Sequence, residues 1–190
     1  MNFAGAQLRL KFDWGSNAQN GLTAMSIVET VVDYLRQHDL RLTTAESCTA
    51  GNIITLLAQV PGSGELIESG YVVYSPEAKQ RLLGVSANTI ETLNLTSCEV
   101  AREMVIGALR DSPASVAVST TGLLGPEDVD GIPAGTVCFA WAFMAGEQMT
   151  VFSRKQRFSG SRDAVLRQAS LYALKELPTF HQAMLNGERG

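Results

Sequence analysis

Leu40-Arg41-Leu42-Thr43-Thr44-Ala45-Glu46-Ser47-Cys48-Thr49-Ala50-Gly51, continuing through Asn52 to Gln59, changes character half-way along. Up to Ala45 it is a β-prone run, and from Asn52 it is helix-like, with a small polar turn between. A strand passing through a tight turn into a helix is the building unit of an α/β fold. It also sets Ser47 beside free backbone N–H groups, at the positive end of a helix. That position suits a nucleophile or a bound anion.

Downstream, Tyr74-Ser75-Pro76-Glu77-Ala78-Lys79 places a Tyr and a Lys five residues apart across a Ser-Pro helix start. Ser, Lys and Tyr on such turns are the parts of a hydrolase that needs no His. Each also has a structural reading. Ser47 fits a helix N-cap, Lys79 a solvated helix face, and Tyr74 core packing at a strand end. Glu46 fits a loop brace that accepts backbone N–H bonds, or a solvated carboxylate. Cys48 flanks the serine without a nearby His to generate thiolate, and reads as a small packing residue.

Working outward, residues 1 to about 24 are weakly patterned; Leu8, Leu10 and Phe12 alternate as a short strand would, and Gly15 to Gly21 reads as a loop. The ordered domain is expected to begin near Ser26, where Ser26 and Glu29 form a capping box. Ile27, Val28, Val31, Val32 and Leu35 follow as one helical face. Strands are expected at 41–45, 71–74 and 116–120, and as a hairpin of 136–144 with 149–158 turning at Ala145-Gly146-Glu147. Helices are expected from Asn52 to just before Pro61-Gly62-Ser63-Gly64, from Pro76 to Gly84, from Thr96 or Ser97 past Leu109, and from Arg162 to Leu177. Gly122 to Gly135 reads as a long loop, and the tail after Pro178 as frayed. The parts amount to an extension (1–25), a catalytic domain (26–177) and a tail (178–190). The fold expected is a three-layer α/β/α sandwich with a mixed, mostly parallel sheet.

The bulk properties narrow the function. The 190 residues suit one domain with a substantial core, and 45% hydrophobic with 18% charged residues is ordinary for a soluble protein. No apolar run approaches the roughly 20 residues of a membrane span, and no signal-peptide pattern opens the chain. A net charge of −4 argues against a duplex nucleic-acid binder. The three cysteines, Cys48, Cys98 and Cys138, lie far apart in sequence and suggest no disulfide framework. With two histidines, His38 and His181, no metal-ligand cluster is visible. A reducing cytoplasm is the simplest setting. Trp14 and Trp141 read as packing.

Taken together, the motifs resemble the carboxy-terminal domain of the competence/damage-inducible CinA family, over about residues 26–177. The family's A-E-S-C-T-G-G stands here as Ala45 to Gly51, with Ala50 in place of the first Gly. Its Y-S-N-E-A-K stands as Tyr74 to Lys79, with Pro76 for Asn, and R-L-L-G-V is intact from Arg81 to Val85. T-G-I-A-G-P is matched by Thr121 to Pro126, K-P-V-G-T-V partly by Ile132 to Val137, and F-P-G-D-R by Phe158 to Arg162.

The resemblance implies that family's α/β/α sandwich and the hydrolysis of nicotinamide mononucleotide (NMN) to nicotinate mononucleotide and ammonia, without a metal or cofactor. It implies Ser47 as nucleophile, Lys79 as base and Tyr74 as its helper. It implies Glu46, the backbone N–H groups of Thr49, Ala50 and Gly51, and Thr121, Gly122 and Arg162 as substrate-binding, with Arg162 the best phosphate anchor. It favours a homo-oligomer, for which the apolar hairpin at 136–158 is a plausible surface. The departures at Ala50, Ser161 and residues 126–134 leave open a paralogue that binds without turnover. Relatives carry a Gly-Gly pair and a Lys in that last segment. Glu127, Asp128 and Asp130 stand here instead and are expected to weaken phosphate binding.

Overall fold

The computed structural model describes the backbone from residue 18 to residue 190 and the side chains from residue 24. The strand expected around Leu8, Leu10 and Phe12, and the packing of Trp14, fall outside the described residues. Five strands, β1 (Leu42–Glu46), β2 (Ile67–Val72), β3 (Val116–Gly122), β4 (Thr136–Ala145) and β5 (Gln148–Arg157), form one sheet in the order β2-β1-β3-β4-β5. The β1 pairings with β2 and β3 are parallel; those of β3 with β4 and β4 with β5 are antiparallel. The mixed sheet and its hairpin are therefore as the sequence implies.

Helices cover both faces. On one side lie α1 (Ala18–Gln37), α2 (Asn52–Ala58), α6 (Arg162–Lys175) and α7 (Leu177–Leu185), packed on Val118, Phe139, Trp141 and Phe143. On the other lie α3 (Pro76–Leu83), α4 (Ala87–Leu93) and α5 (Cys98–Arg110), which meet Ala45, Ala117, Cys138 and Ala140. Large side chains alternate with small ones along β4, so each face carries its own packing surface. Both faces of β4 are thus filled by the protein's own helices, which accounts for the apolar character of 136–143 without an oligomer contact.

Local chemistry explains most boundaries. Ser75 accepts a bond from Ala78 N–H (3.1 Å) ahead of Pro76, and Gly84 closes α3 at φ 69°. Ser97 caps α5 through Val100 N–H (3.2 Å).

Four expectations need correction. Helix α1 starts at Ala18, so residues 18–21 are helical and the fold begins ahead of Ser26. Ser26 is interior to that helix and its carbonyl takes the Thr30 hydroxyl (2.7 Å), so it caps nothing. Strand β2 lies at 67–72, earlier than expected, because Ile67 to Val72 holds the register with β1. Helix α4 was not anticipated, and the tail forms α7, whose Phe180 and His181 are buried against the sheet. Proline at the start of α7 looked like a stop signal, yet the first turn of a helix accepts it. Among the described residues no helix is long and apolar enough to cross a membrane.

Candidate active site

From β1 the chain crosses over α2 to β2 on one side, then returns through α3 to α5 and enters β3 on the other. The two parallel strands therefore diverge in connection at their carboxyl ends, and a crevice opens there. Ser47 follows β1 in that crevice, and Thr121 and Gly122 end β3 beside it. A cavity of about 370 Å³ lies over this point, lined among others by Ser47, Tyr74, Thr96, Thr121, Glu127 and Arg162. Gly122 is needed at the wall, since a Cβ there would stand 2.4 Å from the Thr136 carbonyl oxygen.

The turn that carries Ser47 is fixed by Glu46. Its carboxylate, 1% exposed, accepts the N–H groups of Gly51 (3.0 Å), Ile53 (3.1 Å) and Ile54 (3.2 Å). It also accepts the Thr49 hydroxyl (2.7 Å), which is within 2.7 Å of Thr120 Oγ1. The orphan donors at the start of α2 are thus consumed internally, and they are not free for a phosphate. Glu46 and Thr49 serve as braces rather than cavity walls, and neither Ala50 nor Gly51 lines the cavity. The Ala50 N–H goes to the Ser47 carbonyl (3.2 Å). Among the described residues, the N–H groups of Cys48 and Thr49 donate to no backbone carbonyl.

This arrangement gives Ser47 no capping role. No side chain hydrogen bond from a preceding serine caps α2, and among the described residues Ser47 Oγ has no hydrogen-bond partner. Ser47 is 8% exposed, at the cavity wall. Cys48 is buried, and burial pushes its thiol up to about 12, which leaves it protonated and inert.

Lys79 is not a solvated helix-face residue. It is 1% exposed, and its Nζ donates to the carbonyls of Val73 (2.8 Å) and Tyr74 (3.0 Å). Val73 N–H in turn donates to Glu46 O (2.9 Å), so those carbonyls belong to the segment that leaves β2 beside the end of β1. Lys79 and Cys48 are near enough for each charge to act on the other, so the amine lies close to the serine turn, and it does not line the cavity. Burial lowers the Lys79 pKa to about 8, against a partial offset from Cys48 and Glu77. A neutral amine has two N–H donors, and the two carbonyls satisfy both. Its lone pair is then left to accept a proton.

Tyr74 lies beyond the end of β2 and is not packed in the core; its side chain is 62% exposed. It orients Lys79 through its carbonyl, while its hydroxyl accepts a bond from Arg162 Nη2 (3.3 Å). Arg162 Nη1 also donates to Gly125 O (2.9 Å), which aims the guanidinium across the cavity mouth at the first residue of α6. Thr121 lines the cavity, though its hydroxyl is spent on Leu95 O (2.7 Å). Ser161 caps α6 by accepting Ala164 N–H (3.2 Å), so serine there does what an aspartate would do.

In the loop after β3, Asp128 is turned inward and accepts the Ala134 N–H (2.7 Å). Asp130 and Gly131, at φ 50° and 74°, form the tip of a two-residue turn closed between Val129 and Ile132. Of the three acidic residues expected to face the ligand, only Glu127 lines the cavity. The wall residues Leu95 and Thr96 were not anticipated, because an ordinary helix-entry segment carries no chemical signature. Among the described residues, no three His, Cys, Asp or Glu side chains converge as metal ligands.

Residues 24–180 match the CinA C-terminal domain. The chain is 42% identical over 154 residues to the nicotinamide-nucleotide amidohydrolase PncC of Escherichia coli strain K12, covering 80% of this chain and 92% of that one. It is 41% identical over 146 residues to the protein of the same name from Pseudomonas putida, covering 76% and 89% respectively. In three dimensions it is similar to the competence-damaged protein (CinA) superfamily protein ECK1530/EC0983 from Escherichia coli. That likeness has a TM-score of 0.78 at 32% identity and covers 89% of this chain and 99% of the other.

Proposed function

This chain belongs to the CinA C-terminal domain family, and on that premise we propose that it hydrolyses the carboxamide of NMN to the carboxylate and ammonia. The observation that carries the proposal is the unbonded Ser47 hydroxyl at the cavity wall, with the buried amine of Lys79 close to the neighbouring Cys48.

In the proposed reaction Ser47 Oγ attacks the carboxamide carbon while neutral Lys79 takes its proton. The N–H group of Cys48, which lines the cavity, receives the charge that develops on the carbonyl oxygen. Lys79, now protonated, gives its proton to the departing nitrogen, and ammonia leaves an acyl-Ser47. Water then enters, again deprotonated by Lys79, and releases the carboxylate. Arg162 keeps donors beyond the two already used and holds the phosphate at the mouth.

Of the departures that suggested a paralogue without turnover, those at Ser161 and Asp128 find local compensation, which supports the hydrolytic reading. The proposal extends to a homo-oligomer, which light scattering of the purified protein would test. The activity is tested by incubation with NMN, following ammonia release and the appearance of nicotinate mononucleotide. Production of both, absent in Ser47→Ala, is expected. Stable NMN binding with no ammonia would overturn it.

A further inference from the structure

The hydrolytic site leaves one pair of reactive groups unused, on the far side of Thr121. Helix α5 is pinned across β3 at two heights. Ser119 Oγ donates to Ala101 O (2.6 Å), and Thr121 Oγ1 donates to Leu95 O (2.7 Å). In the β3–β4 register Ser119 stands opposite Ala140 and Thr121 opposite Cys138. Cys98, between Leu95 and Ala101, therefore lies over Cys138, and it packs on the cluster of Ala101, Val105, Cys138 and Ala140.

The two thiols thus belong to one packed cluster between α5 and the sheet. Lys155 is the cross-strand partner of Cys138 on β5 and so projects on the same face. The neighbouring Cys138 thiol and the charge of Lys155, opposed by burial, bring the Cys98 thiol down to about 7. Cys138, fully buried and facing that thiol, is pushed upward. Cys98 is half-buried at the first position of α5, where the helix dipole also favours a thiolate. One sulfur is thus exposed enough and acidic enough to attack, and the other is held against it to resolve.

We infer that Cys98 and Cys138 form a redox-active dithiol, a modification site that closes to a disulfide when the protein meets a peroxide. Cys98 thiolate attacks one peroxide oxygen, breaks the O–O bond and becomes a sulfenic acid, and hydroxide leaves. Cys138 sulfur then attacks the Cys98 sulfur, expelling the sulfenic hydroxyl, which takes the Cys138 proton and leaves as water. Two thiols are oxidised, one peroxide is reduced, and with the hydroxide protonated two waters result. An S–S bond of about 2.05 Å draws the first turn of α5 toward β4. Leu95 and Thr96, just ahead of that turn, line the cavity, so the closed form reshapes the substrate wall. That last consequence rests on the NMN reading; the cross-link does not.

The test treats the purified full chain with hydrogen peroxide near neutral pH, then alkylates it and maps peptides without reductant. After denaturation the Cys98 and Cys138 peptides should be joined, Cys48 should be alkylated as a free thiol, and dithiothreitol should restore both cross-linked thiols. Cys98→Ser should abolish the cross-link and keep the activity of the reduced protein. Cys98 recovered as a sulfinic acid without a link, a link to Cys48, or three unreacted thiols would each overturn the dithiol. The oxidised wild type should show a KM for NMN changed by about threefold or more, and Cys98→Ser should not. Full cross-linking with an unchanged KM overturns the effect on the wall. A protein inactive on NMN leaves the mass result to stand and removes the substrate reading instead.

Discussion

Two segments leave the sheet at the carboxyl ends of adjacent parallel strands, and they are built on opposite plans. The turn after β1, Ser47 to Gly51, is over-determined: one buried carboxylate gathers three backbone N–H groups and a hydroxyl. The loop after β3, Leu123 to Gly135, is mostly exposed from Pro126 to Gly131 and closes on a few bonds of its own. The first holds the reacting atom where a displacement of 1 Å is costly. The second supplies the cavity rim, where substitutions change binding without disturbing the nucleophile. Sequence change is tolerated on the rim because the backbone there satisfies itself locally.

Breaking the rigid side should produce the largest effect. Ser47→Ala should lower kcat by about 10⁴-fold or more with the unfolding midpoint unchanged. Lys79→Arg should be as damaging, because a guanidinium cannot deprotonate near neutrality. The lysine also sets a pH signature. Its pKa is lowered to about 8, so below that pH the amine is mostly protonated and cannot accept the serine proton. For the wild type, kcat/KM should rise about tenfold per pH unit and level off above about pH 8. A flat profile through this range, or an active Lys79→Arg variant, removes Lys79 as the base.

Glu46 tests whether the turn is held as tightly as its bonds imply. Glu46→Ala strands several buried donors at the start of α2, at a cost on the order of 3 kcal/mol. For a domain of this size that lowers the melting temperature by roughly 6–12 °C. Activity should fall with it, and Glu46→Gln, which keeps one acceptor, should lie between. A Glu46→Ala protein as stable as wild type would show that the turn needs no brace.

On the rim, effects should be smaller and should appear in KM. Arg162→Ala removes a charge-assisted contact of about 1.5–3 kcal/mol, so KM for NMN should rise about 10- to 100-fold. Glu127→Gln should lower KM a few-fold by removing a carboxylate from the cavity wall, by about 1 kcal/mol of repulsion at most. Asp128→Asn should leave KM alone, since that carboxylate is bonded to Ala134. If Asp128→Asn lowers KM and Glu127→Gln does not, the loop faces the ligand differently when bound.

What could be read from the sequence follows the same division. The strand–turn–helix at 40–59 and the Ser-Pro helix start were readable because caps, Pro and Gly at fixed positions are local signals. The burial of Lys79 was not readable, for it depends on β2 running beside β1 and on the segment just after β2 offering two carbonyls. The role of Glu46 needed the turn to fold the chain back on it, and that of Thr49 needed Thr120 from β3. Asp128 and Asp130 were read by charge alone, whereas their backbone surroundings decide where they point. The juxtaposition of Cys98 and Cys138 is set by helix-on-sheet packing, which linear spacing does not carry.

The finest test lies at Ala50, the one position in the rigid turn where the family motif and this chain differ. Ala50 has φ 51° and Gly51 follows at φ 88°, so two consecutive residues occupy the left-handed region. A Cβ there costs roughly 1–2 kcal/mol, while glycine forfeits about 0.4–1 kcal/mol in the unfolded chain. The Ala50 side chain is exposed and adds no core packing. Ala50→Gly should therefore stabilise the protein by roughly 0.5 kcal/mol, or 1–2 °C in melting temperature. Gly51→Ala should do the reverse and more, since its Cβ would also meet Val72 Cγ2 at 3.4 Å. Neither N–H is available to substrate: Ser47 O holds one and Glu46 holds the other. Ala50→Gly should accordingly leave kcat and KM within about twofold of wild type, an energy change under about 0.5 kcal/mol. A large gain in kcat would mean that strain at this residue, rather than the bonds of Glu46, sets the position of Ser47.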